Sequence, residues 1–353
     1  MRPVTARGEV LVAMSGGVDS SVAAALLIEQ GFAVTGVTMK LWGGESDSGC
    51  CSVSDVDDAR RVADQLGIDH HVFNFGDDFD THVVQPYVDA YASGITPNPC
   101  IECNRHLKFD RLLRRADALG FTTVATGHHA RVVSSGTTRR IARGADPLKD
   151  QSYVLYMLRQ PELARIALPI GELDKADVRA IATRLGLRTA TKPDSQDVCF
   201  ITAVGGREKF LGDRIPLRPG RIVDTTGNEL GRVPAVELVT IGQRKGLELA
   251  GAARRRFVVD IDLPSATVVV GSRDDLDRDR LDVTNVVWSD QPFSGRCLVQ
   301  CSAHGEPRWA TIEVLAADHV TVLWDDTQRR IAPGQSAVFY DGESVLGGGI
   351  VGR

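Results

Sequence analysis

A glycine-rich turn between a buried strand and a helix is the feature that most constrains how this chain folds. Residues 15–21 read Ser-Gly-Gly-Val-Asp-Ser-Ser, between the apolar runs Val10–Met14 and Val22–Ile28. Their lengths favour a strand for the first run and a helix for the second. Paired glycines let the backbone approach an anion, and the amides of the first helical turn attract negative charge. We therefore favour a phosphate-binding loop over a glycine turn capped by serines.

Two familiar phosphate loops do not fit this stretch. No Lys follows the glycines as in the P-loop, and the second glycine of G-x-G-x-x-G is missing. The stretch resembles the pyrophosphate-loop motif S-G-G-x-D-S, whose superfamily cleaves ATP between the α and β phosphates and adenylates an oxygen. The resemblance implies Asp19 as the partner of Mg²⁺. It also implies ATP contacts from Ala13, Met14, Ser15, Gly16, Gly17, Val18, Asp19 and Ser20.

Strands alternate with helices through the first half of the chain. The pattern predicts strands over 32–39, 71–75 and 121–126, and helices over 56–66, 174–185 and from Asn104 onward. Ser54 and Asp57 have the spacing of a capping box for the helix over 56–66. This order predicts an α/β fold, a parallel sheet with helices on both faces and ligands at the carboxyl ends of its strands. Met39 and Gly127 lie at such ends and are expected against the adenosine, although Met39 serves equally well as a core residue.

From about Arg207 the chain is dominated by glycines, prolines and short β-branched runs, which predict strands. The charged segment Arg273–Arg280 is expected to be a linker or loop, and Gly347–Gly349 predicts a bulge or a close backbone approach. We expect three domains. They are an ATP-binding catalytic domain over 1–205, a small β-rich domain over 206–275 and a C-terminal β-barrel-like domain over 276–353.

Bulk composition narrows the class of protein. The 353 residues include no apolar run near the roughly 20 residues of a membrane helix and no signal-peptide pattern, so we expect a cytoplasmic protein without a membrane partner. Seven cysteines at irregular spacing suggest reactive or metal-binding thiols more than a disulfide framework. The net charge of −5 argues against polyanion binding by the whole surface, yet a local basic patch suffices for RNA.

Two of the cysteines lie in segments that we expect to be loops. Cys103 follows the proline-stiffened stretch Thr96–Pro99, and Cys199 follows Lys192-Pro193-Asp194. With a helix from Asn104, Cys103 is placed near a helix N-terminus, where the pKa of a thiol falls. A reactive thiol together with an ATP site indicates sulfur chemistry that uses ATP.

Seven ordered motifs resemble those of the tRNA-specific 2-thiouridylases over nearly the whole chain. They are Ser-Gly-Gly-Val-Asp-Ser-Ser, Thr-Pro-Asn-Pro-x-x-x-Cys-Asn, Thr-Gly-His-His-Ala-Arg, Lys149-Asp150-Gln151-Ser152-Tyr153, Cys199-Phe200, Thr-Ile-Gly-Gln-Arg-Lys-Gly-Leu from Thr240, and Pro-Gly-Gln-Ser-Ala-Val-Phe-Tyr from Pro333. Their shared order is more specific than any single motif.

The resemblance implies an enzyme that replaces the C2 oxygen of the wobble uridine of tRNA with sulfur, using ATP and releasing AMP and pyrophosphate. By position, Cys199 carries the incoming sulfur as a persulfide, and Cys103 is the nucleophile that forms a disulfide with Cys199 as sulfur is released. The implied partners are tRNA and a sulfur-donor protein, either a cysteine desulfurase or a sulfur relay protein. The implied tRNA contacts are Asn98, Pro99, Cys100, Lys149, Asp150 and Gln151. Asp150 has a comparable structural interpretation as a helix cap.

This chain departs from the family pattern at three places. Cys100 stands where many relatives have Asp, and Arg232-Val233-Pro234 with Val239 replaces a His-Gly pair and a Tyr. Ser302-Ala303 replaces an Arg-Tyr pair that contacts tRNA in the family. Basic clusters offer other RNA contacts, although each is more often a solvated face. They are Arg139, Arg140 and Arg143; Arg207, Lys209, Arg214 and Arg218; and Arg244 and Lys245.

Other functions stay open at this point. An amidating ligase with the same loop, such as the ATP-pyrophosphatase part of GMP synthetase, needs no thiol near the nucleotide, so Cys103 and Cys199 speak against it. Cys100, Cys103 and Cys199 could hold an iron–sulfur cluster, or a zinc ion together with His70, His71 or Cys50-Cys51, but we favour neither. A tRNA-binding protein without catalysis is the third alternative. Cys297 and Cys301 are expected to be packed thiols.

Overall fold

The computed structural model describes residues 7–42, 52–194, 198–249 and 255–353. Cys50, Cys51 and the residues 195–197 lie outside this range. The chain forms two compact units. The first contains the chain up to Val83 with Cys100–Val204 and Glu343–Leu346, and the second contains Val84–Pro99, Gly205–Gly342 and Gly347–Arg353.

A five-stranded parallel sheet forms the centre of the first unit. Its strands are β1 (Glu9–Ala13), β2 (Ala33–Lys40), β3 (His70–Asn74), β4 (Thr123–Thr126) and β7 (Ile166–Ala167). They lie in the order β3-β2-β1-β4-β7, and every neighbouring pair is parallel. The predicted parallel α/β fold is therefore confirmed. The intervening strands β5 (Ala130–Ser135) and β6 (Thr138–Arg143) form an antiparallel hairpin, in which Ala142 also pairs with Ser344.

Helices cover both faces of this sheet and the loops around it. The α-helices of the first unit are α1 (Val18–Glu29), α2 (Val53–Leu66), α3 (Gly76–Phe79), α5 (Pro99–Glu102), α6 (Leu112–Ala118), α7 (Gln160–Leu163), α8 (Lys175–Arg184) and α9 (Cys199–Ala203). Shorter turns are the π-helices Asp80–Val84 and Cys103–Arg111 and the 3₁₀-helices Ser152–Leu155 and Arg188–Thr191. Residues of β1, α1, α2 and α8 share one apolar core. Val10, Leu11 and Val12 are at most 1% exposed, as expected of a central parallel strand.

Two helix starts differ from the sequence-based predictions. Helix α2 is capped by Ser52 and Asp55 rather than by Ser54 and Asp57, since the Asp55 amide donates to Ser52 Oγ and the Ser52 amide to Asp55 Oδ2. Its predicted end is confirmed, because Gly67 adopts the left-handed conformation with φ 69°. The helix around Cys103 begins at Pro99 instead of Asn104, and it continues through the π-helical stretch to Ala118. Cys103 is thus the fifth helical residue, and Cys100 lies in the first turn.

The second unit combines a small sheet with a closed barrel. Its helices are α4 (Gln85–Ala92), α10 (Arg207–Gly212) and the 3₁₀-helices Val236–Leu238 and Asp274–Leu276. The small sheet is β8 (Gly220–Asp224), β9 (Glu229–Val233), β10 (Glu248–Leu249), β11 (Phe257–Asp262) and β12 (Thr267–Gly271), in the order β10-β9-β8-β12-β11. Its apolar core includes Ile222, Val236 and Val268, none of them exposed.

Six strands close the C-terminal barrel. They are β13 (Asp277–Trp288), β14 (Gly295–Gln300), β15 (Arg308–Ala316), β16 (His319–Arg329), β17 (Ser336–Asp341) and β18 (Ser344–Val351), in the order β13-β16-β15-β14-β17-β18, with β13 pairing again to β18. The predicted linker over 273–280 was therefore partly wrong, because Asp277 already pairs with Arg329 in the barrel. The prediction for the triple glycine is confirmed, since a Cβ on Gly347 would lie 2.5 Å from the Val287 carbonyl oxygen beside a shift in strand register.

No helix within the described part of the chain is long and apolar enough to cross a membrane.

Candidate active site

The glycine loop lies where the strand order of the parallel sheet reverses. β1 is flanked by β2, which follows it in the chain, and by β4, which is reached by a longer connection. Gly16 and Gly17 leave the carboxyl end of β1, and Gly127 leaves the carboxyl end of β4 beside it. Ligands of open parallel sheets bind in the crevice at such a switch point.

The N-terminus of α1 is built to present backbone amides. Gly17 is the N-cap and has no side-chain cap, so the first helical amides, of Val18, Asp19 and Ser20, have no carbonyl partner within the helix. Ser20 Oγ accepts from the Ser15 amide at 3.1 Å and donates to the Gly17 carbonyl at 3.2 Å. These bonds hold the loop in shape, and the helix dipole favours an anion in front of it.

Two glycines are required by close backbone contacts. A Cβ on Gly127 would lie 2.6 Å from the Ser20 nitrogen and 2.7 Å from the Asp19 carbonyl carbon. Gly16 has φ 71°, and a Cβ there would overlap the Asp55 carbonyl oxygen at the start of α2. Only glycine therefore lets the end of β4 and the start of α2 approach the loop this closely.

Asp19 is held by two cationic or polar partners. Lys175 Nζ, at the start of α8, lies 2.7 and 2.8 Å from the two Asp19 carboxylate oxygens. His129 Nε2 lies 3.2 Å from Asp19 Oδ1. Burial alone would raise the pKa of Asp19, but the bonds from His129 and Lys175 outweigh it and lower that pKa. The carboxylate stays ionised beside the glycine loop at neutral pH.

Lys175 also joins the glycine loop to the segment that leads to Cys199. Its Nζ lies 2.8 Å from Asp194 Oδ1, and Asp194 also binds Lys149 Nζ at 2.6 Å and Arg179 Nη2 at 2.8 Å. Burial would raise the pKa of Asp194, yet Lys149 and Lys175 lower it to about 2. A second tie comes from Lys192, which binds Asp55 at 2.6 Å and Asp58 at 2.8 Å. Lys192 and Asp194 are thus fixed beside the loop.

The other predicted ATP contacts lie around the loop but are mostly buried. Ala13, Met14 and Val18 have 8%, 1% and 3% of their surface exposed, so mainly their backbone atoms can reach a ligand. Met39, at the end of β2, is 7% exposed. Ser15 is the exposed member of the set. Contact of these residues with ATP stays a prediction.

The first unit contains both predicted catalytic thiols. Cys103 and Cys199 are half-buried, and Cys100 is exposed. Cys199 is the first residue of α9, and the next residue, Phe200, packs edge-on against Phe79 at a ring distance of 5.6 Å. In the C-terminal domain, burial raises the pKa of Cys297 and of Cys301 to about 12. Cys297 is buried and fits the predicted role of a packed thiol, whereas Cys301 is half-buried.

The predicted tRNA-binding residues fall into two groups. Lys149, Asp150 and Gln151 belong to the first unit, where Asp150 accepts from the amides of Gly144 and Ser152 and Gln151 Oε1 accepts from the His129 amide at 2.9 Å. Asp150 and Gln151 therefore have structural roles that leave RNA contact untested.

Asn98 and Pro99 belong to the second unit, whereas Cys100 belongs to the first. The stretch before Asn98 is fixed within the second unit by the Pro333-Gly334-Gln335 motif. The Thr96 amide donates to the Pro333 carbonyl at 2.9 Å, and Gln335 Nε2 donates to the Thr96 carbonyl at 2.6 Å. Two of the seven motifs thus meet, and they hold the proline-rich loop in one conformation.

The remaining basic candidates are mostly occupied by protein groups. Arg139 donates to the carbonyls of Leu163 and Ala164, and Arg218 pairs with Glu237 at 2.7 Å. Arg244 and Lys245 are exposed in the second unit.

The structure describes the residues of the iron–sulfur alternative but only some of those of the zinc alternative. Among the residues that it describes, no three His, Cys, Asp or Glu side chains are grouped so that they could hold a metal ion. The three thiols Cys100, Cys103 and Cys199 are within that set. The zinc alternative involves Cys50 and Cys51, which lie outside the described residues.

Sequence reasoning missed Lys175 and gave Asp194 no role. One local signal was available for Lys175. It is the first residue of α8, where the positive end of the helix dipole disfavours a cation. A lysine in that position needs a compensating carboxylate, and Asp19 and Asp194 provide it.

Comparison with known proteins decides the family. A model of the tRNA methyl transferase HUP domain matches residues 8–203, a PRC-barrel-domain model of the same group matches 208–272, and an aminomethyltransferase β-barrel-domain model matches 278–351. A tRNA-specific 2-thiouridylase of Roseiflexus castenholzii is 45% identical over 98% of this chain and 99% of that protein. This chain belongs to the tRNA 2-thiouridylase family. A 2-thiouridylase of Chloroflexus aggregans is 47% identical over 98% of both chains.

Among solved structures, a 4-thiouridine synthetase–RNA complex with bound ATP aligns with 56% of this chain and 46% of that chain. Its TM-score is 0.38 and its identity 19%, so the likeness is too distant to carry an argument. The family predicted from the seven motifs is confirmed by the family models and by the relatives that match 98% of this chain.

Proposed function

We propose that this 2-thiouridylase family member catalyses ATP-dependent 2-thiolation of the wobble uridine of tRNA. The observation that carries the proposal is the link between its two chemical sites. Lys175 bridges Asp19 in the glycine loop to Asp194, five residues before Cys199. The glycine loop and Cys199 belong to the same compact unit.

The first step uses ATP to make the uridine oxygen a leaving group. A uracil carbonyl is a poor electrophile, so the C2 oxygen attacks the α-phosphorus and pyrophosphate departs. The amides at the start of α1 face the departing anion and stabilise its charge. Lys175 Nζ adds a positive charge beside Asp19. The α1 amides and Lys175 stabilise negative charge that grows as pyrophosphate leaves. Interactions that are stronger in the transition state than in the ground state accelerate a reaction.

Magnesium fits this arrangement. Mg²⁺ is bound in proteins by one or two carboxylates together with substrate phosphates, and Asp19 is an ionised carboxylate that is 30% exposed at the loop. When bound, the ion neutralises phosphate charge. Asp19 would hold the ion, and Lys175 and His129 fix the rotamer of Asp19.

The second step transfers sulfur, with Cys199 as the carrier. The terminal sulfur of a Cys199 persulfide attacks C2, AMP departs, and the base is joined to Cys199 through a disulfide. The Cys103 thiolate then attacks the Cys199 sulfur, so that one S–S bond forms as another breaks and the base leaves with its C2=S group. A dithiol reductant regenerates both thiols. A sulfur-donor protein reloads Cys199, and the need for reduced thiols suits the cytoplasm.

The proposal extends to tRNA contacts and domain limits. We retain Asn98, Pro99, Cys100, Lys149, Asp150 and Gln151 as the proposed tRNA contacts. The target base must leave its stack to reach a protein pocket, and a loop fixed like the stretch before Asn98 suits that task. We retain domain limits near residues 205 and 275.

The test is sulfur transfer to unmodified tRNA by anaerobically purified protein with ATP, Mg²⁺ and a persulfide donor. We expect thiolated uridine and one pyrophosphate per product. Cys199→Ser should bind tRNA but form no thiouridine in a single turnover, whereas the matched control Cys301→Ser should act like wild type. Thiolation by Cys199→Ser at the wild-type rate would refute the assignment. Pyrophosphate release together with an amidated product, and without thiouridine, would instead favour the ligase alternative.

A further inference from the structure

A basic cavity lies within the second unit. It has a volume of about 620 Å³. Its lining residues are Gly242, Gln243, Arg244, Lys245, Arg255, Phe257, Arg273 and Arg329. Four arginines and one lysine contribute to this lining, which contains no Asp or Glu. The chain as a whole carries a net charge of −5, so this positive charge is strongly localised.

The five cations of this cavity lack acidic partners. None of them forms an ion pair with any residue that the structure describes, and all five are exposed. Neighbouring arginines behave differently, since Arg218 pairs with Glu237 at 2.7 Å and Arg330 with Asp260 at 3.6 Å. Like charges gathered without counter-charges repel one another, and an anionic ligand would remove that cost.

The walls of the cavity are fixed by backbone bonds. The Gly242 amide donates to the Val258 carbonyl at 2.8 Å, and the Val258 amide donates to the Gln243 carbonyl at 3.0 Å. The Gln243 side chain donates to the Lys245 carbonyl at 2.9 Å, which shapes the turn that carries Arg244. On the barrel side, Arg330 donates to the Val259 carbonyl at 2.9 Å. The backbone that carries Arg244 and Lys245 is therefore held in place by hydrogen bonds.

We propose that this cavity binds backbone phosphates of the tRNA substrate, an inference that rests on the proposed function. A volume of about 620 Å³ with five dispersed cations suits several phosphodiester groups better than one small anion. Arg329 lies 5.9 Å from the Phe257 ring centre, so one wall also offers an aromatic face. Phosphate contacts of this kind position an RNA and are independent of its sequence.

The test is the salt dependence of tRNA binding by a double variant, Arg244→Glu with Lys245→Glu. Each lost phosphate contact lowers the slope of log affinity against log salt by about 0.7 to 0.9. We expect the slope to fall by about 1.4 to 1.8 and the affinity to fall at least about tenfold at low salt. The matched control is Arg232→Glu, an exposed arginine of the same small sheet that is absent from the cavity lining.

Thiolation kinetics separate this inference from the proposed function. The double variant should keep the wild-type kcat at saturating tRNA and raise only the KM for tRNA. Should charge reversal disturb folding, Arg244→Gln with Lys245→Gln should lower the slope in the same direction while keeping the thermal unfolding midpoint of the control.

Three outcomes would count against the inference. Variant affinity and salt slope equal to those of Arg232→Glu would overturn it. So would loss of pyrophosphate or ATP binding with tRNA affinity unchanged, because the cavity would then be a site for small phosphates. A wild-type protein that binds no tRNA overturns both proposals, whereas one that binds tRNA through this cavity without thiolating it overturns the proposed function alone.

Discussion

Replacing Lys175 by Met should reduce pyrophosphate chemistry much more than it reduces stability. Met keeps the length and apolar stem of the side chain but removes its charge. In the wild-type protein Lys175 Nζ lies 2.7 Å from Asp19 and 2.8 Å from Asp194, and this side chain is 13% exposed. The variant leaves both carboxylates without their shared cation.

The cost to stability follows from those contacts. A hydrogen bond to a charged group contributes about 1.5–3 kcal/mol, so two give about 3–6 kcal/mol before solvent is considered. Asp19 and Asp194 are 30% and 24% exposed, and water then solvates part of the released charge. We expect the free energy of unfolding to fall by about 2–4 kcal/mol, near the range for breaking a buried ion pair.

The effect on catalysis should exceed that of a matched control. Removing one preorganised donor from a charge-stabilising site costs about 10²–10³-fold in rate. Arg179→Met also removes a cation from Asp194, at 2.8 Å, but leaves Asp19 untouched. Lys175→Met should slow tRNA-dependent pyrophosphate release by about 10²-fold or more, and Arg179→Met by less than about tenfold. Because Lys175 lowers the pKa of Asp19, the acid limb of the pH–rate profile of Lys175→Met should also move to higher pH.

The assay is pyrophosphate release at saturating ATP and tRNA, with urea unfolding of each variant alongside. Equal rates for Lys175→Met and Arg179→Met at equal stability would refute the role of Lys175 at the phosphate site. An unchanged acid limb would show that Lys175 does not control the ionisation of Asp19.

Three further predictions follow from single contacts. Gly127→Ala places a Cβ 2.6 Å from the Ser20 nitrogen and should weaken ATP binding by calorimetry at least about tenfold, whereas the control Gly212→Ala, with its nearest contact at 3.3 Å, should bind normally. Asp194 has its pKa lowered to about 2, so its stabilisation is present above the unfolded value near 3.8 and is lost as pH falls from 3.8 towards 2. At pH 7 the free energy of unfolding of Asp194→Asn should therefore be lower than that of the wild type by on the order of 2 kcal/mol. In urea unfolding, this free energy should also fall less steeply than that of the wild type as the pH drops from 3.8 towards 2, and a wild-type dependence on pH would contradict this. Cys103→Ser should release pyrophosphate but accumulate tRNA joined to Cys199, seen as a reducible adduct on gels, and free thiolated tRNA at the wild-type rate would contradict the resolving role.

Local patterns were sufficient for the parallel sheet and the glycine loop. Val10–Ala13 is apolar on both faces of a central strand, and the two glycines that follow leave few conformations for the turn. Local patterns failed at the start of α2, where two Ser–Asp pairs have the same three-residue spacing. Ser52 and Asp55 compete with Ser54 and Asp57 as a capping box, and the ion pair of Asp55 with Lys192 stabilises the first pair. That ion pair joins distant parts of the chain.

The helix start near Cys103 could have been predicted more closely. Pro99 sits at the first helical position, where its fixed φ and missing amide are tolerated. The barrel strand from Asp277 was hidden because its first four residues are all exposed and charged. Lys175 and Asp19 are 156 residues apart, so no window of sequence could pair them.

The central claim is that ATP activates the C2 oxygen of the wobble uridine before sulfur replaces it. It is tested most directly by a single turnover on tRNA that carries ¹⁸O at that oxygen, with mass analysis of the AMP and the base. The account predicts one thiouridine per turnover and ¹⁸O in the phosphate of AMP. Unlabelled AMP beside thiouridine, or labelled water, would contradict adenylation of that oxygen.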